Sequence, residues 1–196
     1  MPKPFPQIDA AVLVRAQRGD REAHALLYDA FAVMVYTVAR RMLASKTLAE
    51  DVLQETFVEV IRKIGSYRGE AEFGFWVKRV AINKCLMQLR SGWVARRVDT
   101  DDIEAFAHAP SGEGHDDEAA LEQALADLTD TARAVVWLHD VEGYTHKEIG
   151  RMMGRTASFS KSCLARAHDR LRISLQGAFE ESEPVICTPT PILKPC

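Results

Sequence analysis

No stretch of the 196-residue chain runs apolar for eighteen positions, so no transmembrane helix and no membrane insertion are expected. The amino terminus, MPKPFPQID, lacks the apolar core of a secretory signal, and none is expected. Cysteine is sparse. Cys85, Cys163, Cys187 and Cys196 form no CxxC pair, which argues against a disulfide scaffold or a zinc ribbon and fits a reducing cytoplasm. There is no glycine-rich phosphate loop, no GxSxG elbow and no HExxH helix, and the six histidines are scattered without ligand spacing. The expectation is a protein that is not an enzyme and carries no cofactor.

What is present is segregated charge. The formal net charge of −3 is unpromising for a nucleic-acid binder, but the average conceals blocks. Val60 to Val98 holds nine basic residues and two acids, whereas Asp99 to Asp127 holds ten acids and no Lys or Arg. Tyr144 to Leu175 returns to seven Lys or Arg against two acids. Two basic modules joined by an acidic connector follow from this pattern.

The last module is the most informative. In YTHKEIGRMMGRTASFSKSCLARAHDRLR, Thr145 and Glu148 have capping-box spacing, Ile149, Met152 and Met153 make an apolar side, Gly154 ends the helix, and Thr156 is placed to cap the next one. Ser160, Leu164, Ala167, Leu171 and Leu175 then form one stripe of 3.6-residue period, and the remaining surface is basic or small. A short helix, a glycine turn and a longer basic helix describe a helix-turn-helix whose second helix fits a major groove. The bland alternative is a helical hairpin with a solvated basic face.

Upstream, Ile8, Val12, Leu13 and Ala16 make a short amphipathic helix, and Asp20 caps a longer one with Leu27, Phe31, Met34, Val38 and Met42 on its inner face. Thr47 and Glu50 have capping-box spacing for a helix to about Ile64, with Leu53, Phe57, Val60, Ile61 and Ile64 inward and Glu50, Asp51, Gln54, Glu55 and Glu59 outward. After the loop GSYRGEAE comes FGFWVKRVAINKCLMQLR. There Tyr67, Phe73, Phe75 and Trp76 interleave with Arg62, Lys63, Arg68, Lys78, Arg79 and Lys84, the composition of a surface that stacks unpaired bases and neutralises phosphates. On that helix Trp76, Val80, Asn83 and Met87 share a stripe, so Phe73, Trp76 and Asn83 also admit a plain core reading. Further on, Leu121, Leu125 and Leu128 make a helix face, and Thr129 or Asp130 caps a helix with Val135, Leu138 and Val141 inside, ended by Gly143. The predicted architecture is all-α, two small helical domains: residues 8–92, an acidic flexible linker 93–117, a helix-turn-helix domain 118–178, and a disordered Pro/Cys tail 179–196.

These residues, in this order and spacing, resemble a bacterial RNA polymerase sigma factor of the extracytoplasmic-function type. LAEDVLQETFVEVIRKI looks like the segment that grips core polymerase, FGFWVKRVAINKCLMQLR like the segment that melts and reads the −10 element, and the helix-turn-helix like the −35 reader. The resemblance implies a cytoplasmic initiation factor with core RNA polymerase and promoter DNA as partners and an anti-sigma factor as inhibitor. Carried residue by residue, it assigns core binding to Asp51, Gln54, Glu55 and Phe57. It assigns −10 contacts to Arg62, Lys63, Tyr67, Phe73, Phe75, Trp76, Lys78, Arg79 and Asn83, and −35 contacts to Lys147, Arg155, Thr156, Ser158, Lys161, Ser162 and Arg166. The chain departs from the family pattern at Met87, where an Asp is usual, and at Ser160 and Cys163 of the recognition helix. Two rival readings are a free-standing helix-turn-helix regulator that never touches polymerase and a protein-interaction adaptor. Regulation has two candidate places: the tail thiols Cys187 and Cys196, with Cys163, as a soft-metal or disulfide site, and phosphorylation of Thr47 at a helix start.

Overall fold

A computed structural model describes residues 5–95 and 117–180, and every regular element among them is helical. The acidic linker and the Pro/Cys tail read from the sequence fall largely outside these residues. In chain order the elements are α1 (Ala10–Gln17), α2 (Arg21–Leu43), α3 (Lys46–Lys63) with a 3₁₀ turn at Ile64–Ser66, and α4 (Phe73–Ala95). They continue with α5 (Asp117–Ala126), α6 (Asp130–Val136) running into a π turn at Trp137–Val141, α7 (His146–Met153) and α8 (Ala157–Glu180).

Most helix starts lie where a side-chain oxygen can satisfy orphan backbone N–H groups. Asp20 accepts from Glu22 and Ala23 at 2.9 and 3.4 Å, and Thr129 accepts from Ala132 at 3.2 Å. At α3 the cap is Ser45 rather than Thr47: its hydroxyl accepts from the Leu48 N–H at 3.3 Å. The left-handed Ala44 (φ 49°) ends α2 and turns the chain so tightly that α3 is capped by Ser45 and begins at Lys46, one residue before the Thr47–Glu50 pair. Thr47 is therefore an exposed first-turn residue, not a cap. Val141, expected inside, is exposed, because the π turn adds a residue to the helical circuit and rotates it outward.

The core has two parts. One fills the α1–α4 bundle with Leu27, Phe31, Val35, Phe57, Val60, Phe73 and Val77. The other begins at Val38, Met42, Val52, Ile82, Leu86 and Leu89 and continues without a break into Leu128, Val135, Leu138, Ile149, Leu164 and Ala167. The two halves predicted as separate domains thus share a hydrophobic cluster. Polar contacts line this junction: Arg41 pairs with Glu122 at 2.8 Å, Arg90 donates to the Met152 carbonyl at 3.2 Å, and Lys78 pairs with Glu142 at 2.8 Å. Arg133, 4% exposed, lies at its centre. Its Nε donates to the Met42 carbonyl at 3.3 Å, its Nη1 reaches the Leu125, Ala126 and Leu128 carbonyls at 3.3, 3.4 and 3.1 Å, and its Nη2 binds Asp130 at 2.6 Å. Burial lowers its pKa and Asp130 opposes that shift.

Candidate partner and nucleic-acid interfaces

The α3 helix presents a polar side because its apolar residues are spent inward. Val52, Thr56 and Val60 are buried, and Asp51, Gln54 and Glu55 point to solvent, with Glu55 3.4 Å from Lys84 of α4. Phe57 belongs with the inward set. It is 5% exposed and packs its ring against Tyr28 at 4.7 Å, so it supports this face from beneath and is not part of it.

The aromatic group at the start of α4 divides into two. Tyr67, Phe73 and Trp76 pack on one another with centroids 5.0, 5.4 and 5.7 Å apart, and Phe73 also meets Phe31 at 5.6 Å. Phe73 is buried, so its part is to seat Tyr67 and Trp76, which remain half-buried. The loop before α4 is pinned by the Tyr67 hydroxyl donating to the Ala71 carbonyl at 2.6 Å and by Gln17, whose side chain donates to the Tyr67 carbonyl at 3.2 Å. Phe75 stands apart, 55% exposed.

Of the two stripes on α4, the buried one is Phe73, Val77, Ala81, Ile82, Cys85, Leu86 and Leu89. Trp76, Val80, Asn83 and Met87 look outward instead, into an open cleft of about 520 Å³ between α3 and α4. Both stripes fit a 3.6-residue period, and only packing against α2 and α3 decides between them. Arg62, Lys63, Arg79 and Lys84 line the cleft and make it basic. Glu59 is its acid, held at about 2 by hydrogen bonds from Lys63 and Arg62, both at 2.6 Å, so it stays ionised while engaging them. Asn83, exposed at the cleft, is available to a ligand.

The helix-turn-helix is built as its punctuation predicts. The Glu148 carboxylate accepts from the Thr145 N–H at 2.9 Å, and the Glu148 N–H donates to the Thr145 hydroxyl at 3.3 Å, closing the capping box. The Thr145 hydroxyl, which donates to the Glu148 carboxylate at 2.7 Å, and the Thr145 N–H together hold the Glu148 pKa below the usual carboxylate value. Gly154 takes the left-handed conformation (φ 68°) that ends α7, and Thr156 accepts from the Phe159 N–H at 3.1 Å to start α8. Gly150 lies directly under the turn. Ser160, Leu164 and Ala167 are buried with Cys163, and the Ser160 hydroxyl is matched to His146 Nδ1 at 3.1 Å, which is why a hydroxyl is tolerated on the inner stripe. Lys147, Arg155, Thr156, Ser158, Lys161, Ser162 and Arg166 are all exposed, and Arg155 lies over the Phe159 ring at 5.5 Å.

Cys163 is the wrong partner for a redox or metal site. It is buried, and burial pushes its thiol up to about 11, so the nucleophilic thiolate is absent at neutral pH. Iodoacetamide should leave Cys163 unlabelled in the native protein and label it fully in denaturant, read by peptide mass spectrometry; rapid native labelling would contradict its placement. Cys187 and Cys196 lie outside the described residues, among which no cluster of metal-ligating side chains occurs.

Sequence reasoning missed Phe5, Gly74 and Glu142. Phe5 lies edge-on to Phe75 with centroids 4.6 Å apart, and Lys78 sits over both rings at 5.0 and 5.8 Å while its ammonium pairs with Glu142. Gly74 faces the Phe5 side chain with no room for a Cβ. The only sequence signal was a lone aromatic held between Pro4 and Pro6.

Comparison with known proteins agrees with the all-helical, two-part fold. Residues 27–94 match the family model described as Sigma-70 region 2, and residues 118–171 match that of Sigma-70, region 4. The RNA polymerase sigma factor CarQ of Myxococcus xanthus is 31% identical over 163 residues, covering 81% of this chain and 92% of that one. The ECF RNA polymerase sigma factor SigM of Mycobacterium tuberculosis is 29% identical over 163 residues, covering 83% and 82%. A solved structure of the sigma factor RpoE in complex with the anti-sigma factor NepR, from Bartonella quintana, is similar in fold. Its TM-score is 0.52 at 22% identity, with 78% of this chain and 96% of that one covered.

Proposed function

The chain belongs to the extracytoplasmic-function sigma factors of RNA polymerase, and from that membership we propose how its surfaces divide the work of promoter-specific transcription initiation. Asp51, Gln54 and Glu55 of α3 dock on core polymerase. The Trp76–Asn83 side of α4, with Tyr67, Phe75, Lys78 and Arg79 and the Arg62 and Lys63 of the cleft, takes the unpaired −10 strand. Bases stack on the exposed rings for about 1–3 kcal/mol each, which offsets unstacking the duplex. The exposed side of α8 enters the −35 major groove, where Lys161 neutralises phosphate and Arg155 and Arg166 reach phosphates or base edges. No helix among the described residues is long and apolar enough to cross a membrane. As membership of this family suggests, the protein acts in the cytoplasm beside polymerase. An anti-sigma factor is its natural restraint, as membership of this family suggests.

The observation that carries the reading is the segregation of exposed charge: acidic on α3, basic on the α3–α4 cleft and basic on α8. The test begins with core binding. Reversing Asp51 and Glu55 to lysine should weaken capture of core polymerase by about 2 kcal/mol or more, on the order of thirtyfold, with helicity and duplex −35 binding retained. Wild-type affinity in that pull-down would remove α3 from the interface.

A further inference from the structure

The surroundings of Lys78 have the form of an occupied nucleotide site. Its ammonium lies 5.0 Å from the Phe5 ring centroid and 5.8 Å from that of Phe75, and it is 2.8 Å from the Glu142 carboxylate. The two side chains of that ion pair are only 18% and 8% exposed. A nucleotide would offer the same two groups to the same residues: a flat π system for Phe75 and an anionic oxygen for Lys78. Phe5 comes from the N-terminal segment and Glu142 from the loop between the π turn and α7, so the pair is assembled from both ends of the fold. Gly74 is part of the seat, because any Cβ there would collide with the Phe5 side chain. Helix α4 thus carries a glycine in its first turn at the position where Phe5 lies flush against it.

We propose that Phe5 and Glu142 together act as an internal nucleotide mimic that occupies the Lys78–Phe75 corner of α4 and must leave before single-stranded DNA can bind there. Phe5 stands in for a base and Glu142 for a phosphate. The inference rests on the reading above that this face of α4 takes the unpaired −10 strand. It adds that the isolated factor holds that face closed, and that displacing the N-terminal segment and separating the two halves of the molecule are linked through Lys78. A single cation cannot satisfy Glu142 and a DNA phosphate in the same geometry, so strand binding releases the helix-turn-helix half from α4.

The test uses the full-length chain and a fluorescein-labelled single-stranded oligonucleotide of degenerate sequence, with a labelled duplex of the same composition as control. Phe5→Ala and Glu142→Gln should each tighten single-strand binding by about three- to tenfold, the double variant by at least as much as either alone without reaching their product since both act through Lys78, and none should alter duplex binding in step. Phe5→Ala removes a ring from the edge of the fold and remains decisive if Glu142→Gln loosens the junction, which circular dichroism melts report. Phe75→Ala in the double-variant background should then abolish most of the gain. If Phe5→Ala and Glu142→Gln leave single-strand affinity unchanged while Phe75→Ala weakens it, the mimic is overturned and the assignment of the face stands. If Phe75→Ala has no effect even in the double variant, the assignment of the face fails and the mimic with it. An equal gain on duplex and single strand would also overturn the mimic, since it would report a general increase in DNA affinity.

Discussion

Arg133→Ala should cost about 3–5 kcal/mol of stability, a large share of the roughly 5–15 kcal/mol that holds a domain folded. The reason is the number of groups that depend on one guanidinium. The last carbonyls of a helix have no partner within it. Arg133 supplies donors to Met42 in the last turn of α2, to Leu125 and Ala126 at the end of α5, and to Leu128 just beyond. Removing it takes the donor from the buried Met42 and Leu128 carbonyls, and buried groups without partners cost more than the bonds contribute. A cation also suits the negative end of a helix dipole, and here it faces two such ends. Arg133→Lys should recover only part of the loss, because an ammonium on a flexible stem cannot reach separated acceptors with a planar fork. Urea unfolding monitored by circular dichroism measures both. A loss under about 1 kcal/mol in the alanine variant would show that water replaces the guanidinium freely.

Gly150→Ala is expected to act in the opposite direction from its effect in an ordinary helix. Alanine normally favours a helix interior by about 1 kcal/mol over glycine. Here the new Cβ would lie 2.8 Å from the Arg155 carbonyl oxygen and 2.9 Å from the Thr156 carbonyl carbon. Both are backbone atoms of the turn, and the Arg155 N–H is itself bonded to the Gly150 carbonyl at 2.7 Å. Neither can swing aside as a side chain would. The turn must lift off α7, with a net cost of about 1–3 kcal/mol. Because that turn aims α8, duplex −35 binding should fall by more than the stability loss explains, on the order of tenfold or more. Melting and gel-shift titration on the same preparation separate the two effects. A stabilised variant with full DNA affinity would mean that α7 and the turn do not pack as closely as described.

The contrast between these two residues shows what the sequence could disclose. The caps at Asp20, Thr129, Thr145 and Thr156 and the stop at Gly154 are local events, decided within four residues, and they were legible. Thr47 with Glu50 was misleading because the same spacing falls harmlessly inside a first turn when Ser45 has already started the helix. The exposed positions of Asp51, Gln54, Glu55, Lys161 and Arg166 followed from periodicity, which tells inside from outside on a helix with one apolar face. Periodicity also put Phe57 on the inner face, where it lies against Tyr28; its place among the core-polymerase contacts came from the resemblance alone. On α4, two adjacent stripes were both apolar enough to be core, and packing against α2 and α3 settled which was. Arg133, Phe5 and Glu142 were beyond reach for one reason. Each depends on at least one partner distant in sequence, 91 residues away for the Arg133–Met42 bond, and a basic residue inside a helical pattern looks the same whether it meets water or a neighbour's carbonyls.

The unbroken cluster from Val38 to Ala167 also gives the molecule a thermal character. Apolar burial weakens on cooling and carries a heat-capacity change proportional to the area released. Parting the two halves exposes Met42, Leu89, Leu128 and Val136, whereas a junction made of ion pairs alone would expose almost nothing apolar. Engagement with polymerase and promoter that draws the halves apart therefore carries a positive heat-capacity contribution from the factor itself, and the hold between the halves slackens as the temperature falls.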